Sequence, residues 1–241
     1  MNASQTSGSP SSDTIGVAPA TAGSNRAGSP ARTASAANPD ENYAGSPKAQ
    51  AILDASLALF AEKGYDGTAV PLIAEKAGVG AGTIYRYFES KEVLVNILYH
   101  QWRTVFRDML LADVPADAPP REVFSMLWNR MAAFQRAYPQ AYAFLEFYHH
   151  TYLNEENIAM TEGIIDFLAG FLRRGQDHGV FRKVPPAMLI FMVLGAFVGL
   201  VRAQNANRIE LTDEAIRESE EICWKAITLA FLNNRRSPEL S

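Results

Sequence analysis

What this chain lacks narrows it first. It has one cysteine, Cys223, in 241 residues, so it has no internal disulfide and fits a reducing, cytoplasmic setting. Taken alone, Cys223 reads as a small buried apolar residue. Nothing in the chain has metal-ligand spacing, and there is no Gly-rich phosphate loop or nucleophile–base motif. These absences argue against an enzyme and against a resident metal or cofactor. Glu146 and His150, four residues apart, share a helix face but bring no further ligands, and read as polar rim or structural hydrogen bonding. The alternation of half-buried strands is missing, so the fold class is all-α. An excess of positive charge is missing too. The net charge is −4, so attraction to a polyanion must come from a local surface.

Long apolar runs are rare. The one candidate, 184–201, has no charge over eighteen residues, which is the edge of transmembrane length. Read as a helix that starts at Pro185-Pro186, it leaves about fifteen apolar residues, or ~22 Å at the α-helical rise, too short for a bilayer. A helix apolar all round in such a chain is expected to be buried on every side. Residues 1–46 lack apolar content. They are Ser, Ala, Gly, Pro, Thr and Asn, with one aromatic, Tyr43, and five charges, and are expected to form a disordered tail. They show no basic start and no apolar h-region of a secretory signal. With Arg26 and Arg32 against Asp13, Asp40 and Glu41, they make a poor DNA-binding arm. A plain tail or a misassigned start codon explains them more simply than a function.

What remains is a folded-protein composition, 48% hydrophobic and 20% charged, organised around residues 68–92. Ala74, Gly78 and Ile84 form the frame. A small residue permits close helix packing, a glycine four later permits a reversal with φ > 0, and a branched apolar residue six after that plugs the gap. That spacing predicts a helix-turn-helix, although on spacing alone an ordinary αα-corner fits equally well. Helices are expected at Pro47–Lys63, capped by Ser46 and ended by Gly64, from Thr68 to Gly78, at Ala81–Phe88, and from Ser90 to about Leu111. Between Lys48 and Trp102 five cations (Lys48, Lys63, Lys76, Arg86, Lys91) face six carboxylates. Placement of the cations therefore matters more than their number.

The flanks decide between the two readings. Gly64-Tyr65, then Ile73-Ala74-Glu75-Lys76-Ala77-Gly78-Val79, then Gly82-Thr83-Ile84-Tyr85-Arg86-Tyr87-Phe88 and Lys91-Glu92 resemble the TetR family of bacterial transcription regulators. The resemblance covers about residues 48–100. It implies a DNA-binding domain over 47–92 whose third helix enters the major groove of a double-stranded operator. It implies phosphate or base contacts from Thr83, Tyr85, Tyr87 and Lys91, with Gly82 admitting the backbone close to the DNA. Two departures from the family pattern stand out. Ala69 stands where Thr is usual, so Thr68 is the candidate for the missing cap and phosphate contact. Gly80 and Ala81 stand where polar or basic residues are usual. Readout is then expected to lean on Thr83, Tyr85 and Arg86, on Ala81 against a thymine methyl, and on DNA shape.

Beyond the run 113–120, read as a linker, residues 93–235 are expected to form a helical body rich in aromatics. Each aromatic alone reads as core. As a group they suit an apolar ligand pocket, and the resemblance implies one that binds a small-molecule effector. Trp102, Phe106, Trp128, Phe147, Tyr148 and Phe171 are the expected lining. Helices near 186–204 and 212–233 look like half of a four-helix interface, which the resemblance assigns to a homodimer, while an intramolecular hairpin is the plainer alternative. The expected function is a regulator, most simply a repressor released by a hydrophobic ligand. The alternative is a DNA-bound regulator whose body docks a protein partner.

Overall fold

The computed structural model describes residues 46–147 and 152–229. The tail expected over 1–46 lies outside this range apart from Ser46, as do Tyr148, His150 and residues 230–233 of the expected last helix. Among the described residues the fold is all-helical, with nine helices and a single isolated β-bridge. They are α1 (Pro47–Lys63), α2 (Val70–Lys76), α3 (Ala81–Tyr87), α4 (Lys91–Leu111), α5 (Pro120–Ala137), α6 (Pro139–Glu146), α7 (Glu155–Asp177), α8 (Pro186–Asn205) and α9 (Asp213–Ile227).

Local chemistry explains the first four. Ser46 Oγ accepts from the Ala49 amide at the start of α1, and Ser90 Oγ does the same for Val93 in α4. α2 ends in a Schellman pair, with the Gly78 amide donating to Glu75 O and the Val79 amide to Ala74 O. Gly78 has φ +66°, and a Cβ there would meet open space, so only its backbone conformation asks for glycine. Ala74 and Ile84 are buried where α2 meets α3.

Thr68 does not cap α2. It is fully buried, and its hydroxyl donates to Gly64 O at 2.8 Å and to Leu59 O at 3.3 Å. The α2 N-cap is Ala69, which has no side-chain bond to give. A hydroxyl spent on two buried carbonyls has no reach to a phosphate, so Thr68 leaves the candidate interface.

α4 joins the head (α1–α3) to the body. The boundary expected at 92/93 falls in its first turn. α6 lies against α1, and the Phe60 ring stacks on Phe144 with centroids 5.9 Å apart. At the other end, α9 stops at Ile227, shorter than expected. Thr228 leaves the helix and pairs with Phe181, with Arg182 N donating to Ile227 O and Leu229 N to Val180 O. Glu220 of α9 is buried and receives Arg121 and Asn129.

α8 runs over 20 residues, about 30 Å, so the short-length argument against a membrane span fails. It is the one helix among the described residues long and apolar enough to cross a bilayer. Nor is it buried on every side. Leu189, Ile190, Phe197 and Val201 pack into the body, while Met188, Phe191 and Met192 are exposed.

The head makes a direct stability prediction. Ile84→Ala should destabilise by about 2–5 kcal/mol, because a buried branched side chain leaves a cavity. Gly78→Ala should cost only about 1–2 kcal/mol, the penalty for a Cβ at positive φ without a clash. Urea unfolding of the two variants measures both, and equal losses would contradict this division.

Candidate nucleic-acid interface and effector cavity

α3 has two faces. Ile84 and Phe88 point inward and are buried. Ala81, Gly82, Tyr85 and Arg86, spaced i, i+1, i+4 and i+5, are exposed on the other side, with Tyr85 at 54%. Thr83 is half-buried at the edge of that face. A Cβ on Gly82 would meet nothing within 4 Å, so no packing inside the protein requires glycine there. Its missing side chain leaves room for something outside. Lys48 and Lys76 are exposed on the neighbouring helices.

Tyr87 and Lys91 are less free. Tyr87 is half-buried, and its hydroxyl oxygen accepts from Ser46 Oγ at 3.1 Å. Lys91 Nζ donates to Tyr65 O at 2.5 Å and sits 3.8 Å from the centroid of the Tyr65 ring. Burial pulls the Lys91 ammonium below its ordinary pKa, against the nearby carboxylates Asp66 and Glu92. The Tyr65 hydroxyl donates to Glu92 Oε1 at 2.6 Å, which holds the Glu92 carboxyl below its usual value. Tyr152 stacks on Tyr65 with centroids 3.8 Å apart. Two groups so close to one ring occupy opposite faces of it. Tyr65 is thus clamped between the first turn of α4 and the residues leading into α7.

The same junction is fastened by amides. Asn157, buried at the start of α7, donates through Nδ2 to Asn96 O and Oδ1, and the Asn154 amide donates to Asn96 Oδ1. Asn96 in turn donates to Tyr152 O. The sequence carried no signal for this cluster, because its members are scattered over some sixty positions and are individually ordinary. Deeper in the body, buried Arg103 of α4 pairs with Glu146 of α6 at 2.9 Å and donates twice to the Tyr99 hydroxyl. Burial opposes the guanidinium charge, and Glu146 and Tyr99 outweigh it, so its pKa is raised. Glu146 is therefore engaged by Arg103, while His150, its expected neighbour, lies outside the described residues.

A cavity of about 60 Å³ lies in the body. α5 lines it with Phe124, Leu127, Trp128 and Met131, and α7 with Leu168, Phe171 and Leu172. α8 adds Leu189, Ile190, Val193 and Leu194, and Leu110 and Ile227 complete the wall. Of the expected lining, Trp128 and Phe171 are there. Trp102, Phe106 and Phe147 are not. Trp102 packs on Tyr138, Phe106 on Phe134, and Phe147 between Tyr142 and the Arg202 guanidinium. Tyr148 lies outside the described residues. The aliphatic majority of the lining was legible only as generic helix periodicity.

Comparisons with known proteins agree with this geometry. Residues 52–103 match the family described as bacterial regulatory proteins, tetR family, and residues 99–229 match a tetracyclin repressor-like C-terminal domain. The chain is 30% identical over 154 residues to the HTH-type transcriptional regulator RutR of Escherichia coli K12, covering 61% of this chain and 71% of that protein. It is 33% identical over 84 residues to the fatty acid metabolism regulator protein of Bacillus subtilis, a match that spans 35% of this chain and only 43% of that relative. A crystal structure described as a putative tetR family transcription regulator from Shewanella sp. PV-4 superposes with a TM-score of 0.63 at 26% identity, over 76% of this chain and all of that one. An exposed outer face on α3, a helical body and two family domains that together cover residues 52–229 lead to one assignment: the chain belongs to the TetR family of bacterial transcription regulators.

Proposed function

We propose that this chain is a cytoplasmic homodimeric repressor that binds double-stranded operator DNA through α3 and leaves it when a small hydrophobic ligand enters the body. The observation that carries the DNA reading is the outward face of α3. Ala81, Gly82, Tyr85 and Arg86 are exposed together while Ile84 and Phe88 anchor the same helix. Arg86 supplies a charged fork for a phosphate or a guanine edge, and Ala81 a methyl for thymine. Thr83 stands at the rim. Tyr87 and Lys91 contribute once their internal bonds are exchanged for DNA.

The dimer reading rests on α8 and α9. Phe191 is 62% exposed and Ile222 67% exposed, with Met188 and Met192 beside Phe191 on α8. A second copy is the natural cover for so much apolar surface. It also supplies the second recognition helix that a two-half-site operator needs. The effector reading rests on the apolar cavity, and the relative named as a fatty acid metabolism regulator supports a hydrophobic ligand.

Two variant sets test this reading. Tyr85→Ala and Arg86→Ala should each weaken specific operator binding by about 1–3 kcal/mol. If Arg86 holds a phosphate, its loss should also lower the salt slope of log K by about 1. Anisotropy titrations across a salt series read both effects, and unchanged affinity in the double variant would remove α3 from the interface. Phe191→Asp should give a folded monomer in light scattering with operator binding lost. A dimer that survives this change would place the interface elsewhere.

A further inference from the structure

The cavity and the proposed dimer face share one wall. Leu189, Ile190, Val193 and Leu194 of α8 face the cavity, and Met188, Phe191 and Met192 of the same helix face outward. Every residue lining the cavity is apolar. Its one N–H, Trp128 Nε1, is already committed to Ile216 O at 3.1 Å. Such a cavity has nothing to offer a polar group and takes hydrocarbon. At about 60 Å³ it is also far smaller than the roughly 300–1,000 Å³ of an ordinary ligand site. A wall must therefore yield for a chain of several methylenes to enter.

The walls are not equally held. α5 is tied to α9 by the Trp128 bond and by Arg121, which reaches both Glu220 and Glu221. α9 is tied to the strand-like 180–182 segment after α7 by backbone bonds at Ile227 and Leu229. α8 is fastened near its two ends. Gln176 donates to Val184 O just before it, Arg202 donates to Phe147 O, and Gln204 accepts from the Leu211 amide. From Pro186 to Val201 it has no polar side chain with which to make another tie. Gly195 and Gly199 leave open space where a Cβ would stand.

We infer that the ligand group this cavity takes is an alkyl or alicyclic hydrocarbon, that α8 is the wall it displaces, and that occupancy is therefore read out as weaker self-association through the outer face of α8. This rests on the reading of α8 and α9 as the dimer face. Linkage makes the coupling reciprocal: whatever factor the ligand takes from dimer affinity, dimerisation takes from ligand affinity.

The test is sedimentation of the full-length chain over a concentration series, with and without n-decanol as the probe. The dimer dissociation constant should rise at least fivefold with n-decanol, a coupling at the low end of the usual allosteric range. Affinity for n-alkanols should climb about fourfold per methylene from hexanol to decanol. Val193→Phe, which fills the cavity, should weaken the dimer without any probe. Ile190→Ala, which enlarges it, should show a smaller rise in the dimer constant with n-decanol than the wild type. Decanol binding to the wild type with no change in dimer affinity would overturn the inference, as would an affinity indifferent to chain length. Both results leave the probe-free dimer and its operator binding intact. A wild type that is monomeric without probe would instead overturn the dimer reading and the inference with it.

Discussion

One helix carries a single hydrophobic core from the head into the body, and the rest of the molecule depends on that. α4 spans 21 residues, about 31 Å. Its first half, with Leu94, Val95 and Leu98 buried, packs on the head, and its second half, with Phe106 and Leu110, packs in the body. A helix interior does not bend easily at any of these positions, because it contains neither proline nor glycine. The chain therefore has no soft linker between α3 and the apolar cavity of the body. α3 packs on α1 and α2, and α1 packs on α4 and α6, so the coupling we propose reaches α3 through α1.

The ties along α4 form three stations. At its start Lys91 and Glu92 hold Tyr65, which Tyr152 holds from the other side. One turn on, Asn96 exchanges bonds with Asn154 and Asn157. At mid-length Arg103 is buried against Glu146. A buried ion pair contributes little net stability, but losing one partner costs roughly 3–5 kcal/mol. Its effect is to make one register of α4 against α6 far better than its neighbours. These stations fix the arrangement of α4 against the body, and on the reading proposed above a ligand-driven population shift must exchange them. A ligand moves such an equilibrium only by its differential affinity for the two arrangements.

The head was largely legible in the sequence because its boundaries are written in local chemistry. Ser46, Gly64, Gly78 and Ser90 act on residues within a turn of themselves, and the helices stop and start where these residues say. Thr68 misled for the opposite reason. A hydroxyl beside a helix start reads as a cap, but the carbonyls it serves, at Leu59 and Gly64, are brought to it by the path of the loop. In the body, aromatic content pointed to a pocket, yet Trp102, Phe106 and Phe147 found ring or cation partners. Which apolar side chain borders a void and which fills it depends on how helices far apart in sequence cross, and periodicity is silent on that. Glu220 shows the same limit. Its burial is set by Arg121, about a hundred residues away.

If this TetR-family regulator reads DNA with paired α3 helices at a spacing fixed by the body, its operator carries that spacing. Selection from a random pool of double-stranded DNA by the purified full-length chain, followed by sequencing, tests it most directly. An inverted repeat whose half-sites are centred about 34–36 Å apart, or a whole number of helical turns, should be enriched. Enrichment of a single, unrepeated site, or no enrichment above the starting pool, would contradict it.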